Sequence, residues 1–175
     1  MVKRLMFIGD SLTEYYDWHL RFPDYQVFNL GISGERVEEL YGRLPRVISK
    51  IKEVDFIFLM TGINNIAMED YDILNSLKAV IKTLSSSYKG ATLVVQSILP
   101  VNLYWVDNTQ IKAINEALKE MAKSYGADYL DMYTLFIKEG EKAEKLYLLA
   151  DGVHLSNQGY EVWAKAVEEY LRKKG

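Results

Sequence analysis

Cysteine is absent from the 175-residue chain. Disulfides, thiolate metal sites and a cysteine nucleophile are excluded with it. Histidine is nearly absent, with only His19 and His154 present, so any imidazole chemistry has two candidates. Proline occurs at three positions, which leaves long stretches free to form helix or strand. Like charges are never massed, and 21 basic residues against 24 acidic ones give a net charge of −3. No basic field suited to nucleic acid follows from that balance. There is no apolar run of the roughly 18 residues that a membrane span needs. The first apolar stretch, Leu5 to Ile8 behind Lys3 and Arg4, is also too short for a secretory h-region. A cytoplasmic protein with neither a nucleic-acid partner nor a membrane span is the expectation, and a homo-oligomer stays open.

What is present is an alternation of short apolar runs and longer segments of helical period. Leu5 to Ile8, Tyr25 to Leu30, Asp55 to Met60, Thr92 to Ile98 and a weaker Asp128 to Leu130 read as strands. The runs are continuously apolar, which suits strands covered on both faces, as in a parallel sheet. Between them, Val37, Leu40, Leu44, Val47, Ile48 and Ile51 form one helical stripe, with Pro45 predicted to kink or break it. Ile73 to Leu84, Ile111 to Met121 and Tyr160 to Arg172 supply further helices. The order predicts a doubly wound α/β fold, as one domain over residues 1–175. In such folds ligands bind beyond the carboxyl ends of the strands, so the loops following each strand are where chemistry should lie.

Those loops carry the polar residues that matter. Gly9-Asp10-Ser11-Leu12 follows the first strand. A serine at a strand-to-helix turn can act as a nucleophile, and amides at the helix start can hold an oxyanion. Ser11-Leu12-Thr13-Glu14 also spells a capping box, which would occupy the same hydroxyl. Gly31-Ile32-Ser33-Gly34 follows the second strand and Gly62-Ile63-Asn64-Asn65 the third. A backbone N–H at a glycine and an asparagine amide are both suitable oxyanion donors, although each loop could be an ordinary turn. Asp151-Gly152-Val153-His154 precedes the last helix. A turn there brings a carboxylate to one ring nitrogen and frees the other for a serine proton. His19, between Trp18 and Leu20, reads as a packed or surface residue. Each cluster is modest alone. Together they supply nucleophile, base, orienting acid and oxyanion donors, the roles acyl transfer requires. The Gly-x-Ser-x-Gly elbow of the α/β-hydrolases is missing.

In this combination the chain resembles the GDSL or SGNH hydrolases. Gly9-Asp10-Ser11-Leu12 resembles their first block, Asn29 to Gly34 the second, Gly62-Ile63-Asn64 the third, and Asp151 to His154 the Asp-x-x-His block. The blocks stand in order and cover the chain from end to end. One departure is Asn65, where the third block often has aspartate. The Gly-x-Asn-Asn version is similar to the catalytic subunits of the platelet-activating-factor acetylhydrolase branch, as are Ser97 to Pro100 and His154 to Tyr160. The resemblance implies a flavodoxin-like three-layer α/β/α fold with a five-stranded parallel sheet. It implies serine ester hydrolysis without a metal or other cofactor, with Ser11, Asp151 and His154 as the catalytic residues. Ser11, Gly34 and Asn64 would form the oxyanion hole.

The substrate is less defined by sequence. Asp10 and Asn65, beside the nucleophile and the oxyanion donor, are expected against it. So are Tyr104 and Trp105, in the loop after Pro100, whose rings could wall an acyl or aryl group or stack on a sugar. A small short-chain acyl ester is favoured, with carbohydrate O-acetyl ester and lysophospholipid as alternatives. A non-catalytic binding module on the same fold is the rival from another class. A phosphate-binding protein using helix N-termini is a further one, weakened by the lack of a Gly-x-x-x-x-Gly-Lys-Ser/Thr loop.

Overall fold

The computed structural model describes residues 2–138 and 140–174. Five strands form one parallel sheet: β1 (Arg4–Gly9), β2 (Gln26–Gly31), β3 (Phe56–Met60), β4 (Thr92–Gln96) and β5 (Asp128–Leu130), in lateral order β2-β1-β3-β4-β5. The continuous apolar runs explain which strands are interior. Every residue of β3 is buried, and β1 and β4 are buried beyond their first residue, whereas β2 and β5 at the edges stay partly exposed. The register sets Ile8 beside Leu30 on one side and Leu59 on the other. The ends of β1, β2 and β3 are thereby level.

Helices cover both faces. Helices α1 (Ser11–Glu14) and α2 (Trp18–Arg21) link β1 to β2. Helix α3 (Val37–Lys50) precedes β3; α4 (Ile63–Ala67) and α5 (Leu74–Ser87) follow it. Helix α6 (Asn108–Ser124) leads to β5, and α7 (Tyr133–Phe136) and α8 (Asn157–Lys174) come after it. Helices α3, α5 and α6 pack side by side, while α8 joins α1 and α2, with Trp18 and Trp163 meeting edge to face at 5.1 Å. This division follows from right-handed crossovers: β1 to β2 steps one way along the sheet, and every later connection steps the other. Alternation along the strands then sorts the core. Phe7 stacks on Trp18 at 4.0 Å and on Phe58 at 5.0 Å, and Phe56 and Phe58 both meet Tyr170 of α8. The layer beneath α8 is therefore aromatic. The opposite helices present Leu40, Leu44, Leu77, Val80, Ile81 and Ile111, all buried.

Two features depart from the sequence reading. Pro45 neither breaks nor ends its helix, which runs unbroken from Val37 to Lys50. Its missing N–H falls on the exposed side, beside Tyr41 and Arg46, where a lost bond costs least because the freed carbonyl is not buried. A small antiparallel pair, β6 (Ile137–Lys138) and β7 (Lys142–Ala143), was not foreseen; two residues per strand leave no period to detect.

Candidate active site

Ser11 stands directly beyond the carboxyl end of β1, as the first residue of α1. It does not cap that helix. Asp10 does, accepting from Leu12 N–H at 3.0 Å, while Glu14 turns away to accept from Ser33 N–H at 2.7 Å. The Ser11 hydroxyl is thus free of the capping box, and Oγ lies 3.0 Å from His154 Nε2. The separation of 143 positions along the chain is bridged through α8. Tyr160 donates its hydroxyl to Leu12 O at 2.9 Å and stacks on Tyr16 at 4.9 Å, so the helix following His154 is fastened to the segment following Ser11.

His154 is held from its other side. Its Nδ1 lies 2.7 Å from Asp151 Oδ2, and Asp151 Oδ1 accepts from the N–H groups of Val153 and His154, both at 2.9 Å. Partial burial raises the Asp151 pKa, but those N–H donors and the imidazole outweigh it and hold the carboxyl below its ordinary value. An ionised carboxylate can only accept, so the imidazole hydrogen belongs on Nδ1 and the Nε2 lone pair faces the serine hydroxyl. The turn depends on Gly152, whose φ is +77°; a Cβ there would meet Asn102 O at 2.5 Å. Tyr15 stacks over the imidazole, ring centroids 5.4 Å apart.

The sequence-predicted oxyanion donors lie at the carboxyl ends of the neighbouring strands. Gly34 follows β2 in an exposed loop with φ of +76°. Asn64, in the first turn after β3, gives one amide hydrogen to Glu35 O at 2.9 Å and keeps a second. The strand order reverses between β1 and β3, where such folds open a crevice for ligands, and Ser11 and Asn64 begin on its two sides. Among the described residues no group of three His, Asp or Glu side chains is disposed to hold a metal ion, and no helix is long and apolar enough to cross a membrane.

Two residues expected against the substrate are placed elsewhere. Asn65 is fully buried; Oδ1 accepts from Val37 N–H, and Nδ2 donates to Glu38 Oε2 and Asp70 Oδ2, each at 3.0 Å. Its polar atoms are spent tying α4 to the start of α3, which leaves nothing for a ligand. Asp10 is 1% exposed. Burial pushes its carboxyl up to about 7, reinforced by the charge of Glu35 and opposed by the Leu12 N–H and by His154. It lies beside Ser11 in the chain and is shielded from solvent.

A family model for GDSL-like lipases and acylhydrolases matches residues 7–162. The chain belongs to that family. Family membership places it among the hydrolases, and the five-stranded α/β fold agrees with solved members. A Streptococcus pneumonia protein provisionally described as a platelet activating factor is 29% identical, aligned over 98% of this chain and 85% of that one, with a TM-score of 0.85. A carbohydrate acetylesterase of Sinorhizobium meliloti shares the fold at 14% identity, covering 99% of this chain and all (100%) of that one, with a TM-score of 0.78. An N-acylneuraminate cytidylyltransferase of Escherichia coli is 27% identical over 180 residues. That match takes in 98% of this chain and 41% of the enzyme, so the GDSL chain spans about two fifths of that relative's length.

Around this GDSL site the loop after β4 forms a rim. Asn102 N–H donates to Gly152 O at 2.7 Å, joining the loop to the His154 turn. Trp105 donates its ring N–H to Ala67 O at 3.0 Å, at the end of α4, and Tyr104 meets it edge on while remaining 96% exposed. The sequence reading gave Tyr15 no role at the imidazole. Its position four residues after Ser11, one helical turn on, was the available signal. Glu35 and Arg43 were missed entirely.

Proposed function

We propose that this GDSL domain hydrolyses a short-chain carboxylic ester, with Ser11 as nucleophile, His154 as general base and acid, and Asp151 orienting the imidazole. The observation that carries the reading is the unbroken chain Ser11 Oγ to His154 Nε2 to Asp151, at 3.0 and 2.7 Å. As Ser11 Oγ attacks the ester carbonyl carbon, its proton passes to Nε2 and the carbonyl oxygen becomes an oxyanion. The N–H groups of Ser11 and Gly34 and the free Asn64 amide hydrogen receive that charge. Collapse expels the alcohol, protonated by His154. Water then attacks the acyl-enzyme with His154 again taking the proton, releasing the acid and restoring Ser11.

The close packing around the nucleophile favours a short acyl group. Leu12, Ile63 and Ile66, the apolar residues nearest Ser11 and Asn64 in sequence, are 1%, 2% and 0% exposed. They belong to the core instead of lining a groove for a long chain. A more specific substrate, an O-acetylated sugar, is favoured by the exposed rings of Tyr15 and Tyr104, which offer faces for a pyranose. It is also favoured by two relatives named for sugar chemistry, the carbohydrate acetylesterase and the N-acylneuraminate enzyme.

A p-nitrophenyl ester series from acetate to palmitate, run with the parent protein and with Ser11→Ala, tests the reading. Turnover should peak at acetate and vanish in the variant. Equal turnover by Ser11→Ala would discard the mechanism, and a peak at palmitate would discard the short acyl group. Acetate release from an O-acetylated sugar, compared with a lysophospholipid, decides the leaving group.

A further inference from the structure

The hydrogen bonds beneath the site converge on one side chain. Arg43, in the second turn of α3, directs its guanidinium under the loops. Nε donates to Glu35 Oε1 at 2.5 Å, and Nη2 donates to Glu35 Oε2 at 2.8 Å and to Leu30 O at 2.7 Å, with Gly9 O at 3.4 Å. Each acceptor adjoins a group assigned to the reaction. Gly9 ends β1 ahead of Asp10 and Ser11. Leu30 lies near the end of β2, before the loop to Gly34. Glu35 is the residue after Gly34, and its own carbonyl receives the Asn64 amide. One planar fork thus touches the backbone bearing the nucleophile and the backbone leading to Gly34, and reaches Asn64 through Glu35. The pair is secluded, the Glu35 side chain being 5% exposed and that of Arg43 18%. A bidentate pair in such surroundings holds a stiff geometry. Arg43 has no hydrogen bond to Ser11, His154 or Asp151, so its influence on them passes through other residues.

We propose that Arg43, paired with Glu35, is the positioning residue of the oxyanion-binding groups, setting Gly34 N–H and the Asn64 amide relative to Ser11. The inference rests on the hydrolase reading above. Oxyanion donors act within a few tenths of an ångström of one distance, and a displacement of about 1 Å can cost on the order of 10² in rate. A forked contact linking three loops is a device for holding such tolerances; an ion pair that merely supports the fold is the rival explanation.

The two are separable. Arg43→Met alone strands the Glu35 charge and can unfold the protein, so the informative variant is Glu35→Gln with Arg43→Met, which removes both charges. If the pair only supports the fold, the double variant that melts near the parent temperature should turn over p-nitrophenyl acetate near the parent rate. If it positions the oxyanion donors, kcat should fall about 10²-fold with KM within about threefold. Affinity for an alkyl boronic acid, which forms a tetrahedral anion on the serine, should fall in step with kcat. A folded double variant with kcat within about threefold of parent overturns the proposal. Should that variant not fold, Arg43→Lys decides. It keeps the charge beside Glu35 but loses the fork, so a kcat drop above about tenfold at unchanged KM supports positioning, and a smaller drop overturns it. No turnover in the unmodified protein, seen before any variant is made, would instead remove the hydrolase reading.

Discussion

At the scale of single residues, Asp10 shows how one side chain can serve two ends of the molecule. Its Oδ1 caps α1, which leaves the Ser11 hydroxyl free for His154. Its Oδ2 is buried without a hydrogen-bond partner, and burial lifts the carboxyl from 3.8 to about 7. Between those values the folded protein keeps a proton that the unfolded chain releases. That stabilisation is complete below the unfolded value and is lost as pH rises through about 7. Asp10→Asn retains an oxygen for Leu12 N–H and cannot ionise. Its melting temperature relative to the parent should therefore climb between about pH 4 and pH 8; a constant offset across that range would refute the shifted carboxyl. Asn64 provides a second expectation at this scale. Asn64→Ala should lower kcat by about 10²–10³ on the best ester, the usual effect of one lost oxyanion donor, with little change in KM.

At the scale of elements, the short connections decide more than the helices they join. The turn from Asp151 to His154 is closed by two backbone N–H groups on one carboxylate oxygen, and it leans on the loop after β4 through Gly152 and Asn102. Gly152→Ala puts a methyl against Asn102 O in a left-handed backbone. The conformation alone costs about 1–2 kcal/mol, and relief requires moving the His154 turn. We expect a lower melting temperature together with at least a tenfold loss of kcat, on the order expected for a small displacement of a catalytic group. Full activity in a destabilised protein would show that the turn can yield without moving the imidazole. The strands and long helices were readable from periodicity. The Asp151 to His154 turn was readable too, since its carboxylate and N–H groups are neighbours in sequence, but its anchoring by Asn102 was not, because that partner lies on another segment.

At the scale of the whole molecule, the aromatic layer beneath α8 carries the distance between Ser11 and His154. Trp163 is fully buried, meets Trp18 edge on, and donates its ring N–H to Gln96 Oε1 at 2.7 Å. Trp163→Ala should cost about 3–5 kcal/mol from the cavity, with more from stranding the Gln96 oxygen. Urea unfolding followed by far-ultraviolet circular dichroism would measure it, and a cost below about 1 kcal/mol would mean that the layer repacks. Any surviving folded fraction should also lose activity, since the same layer ties α8 to the segment after Ser11.

By itself the chain's pattern determined the five strands of the main sheet, the long helices and their order. Apolar runs of strand length and stripes of helical period are local, and right-handed connection then leaves few ways to stack them. It also determined which side of the sheet bears chemistry, because Ser11, Gly34 and Asn64 each follow a strand. Only the tertiary structure decided what individual polar groups do. Ser11 heads a capping-box sequence, yet Asp10 caps α1 and the Ser11 hydroxyl lies against His154, far along the chain. Asn65 looked available to a ligand until Val37, Glu38 and Asp70 consumed it. Arg43 drew no notice in the sequence, and only the ends of β1 and β2 around its guanidinium give it a role. A side chain's role is set by partners distant in sequence, and a one-dimensional pattern contains no term for them.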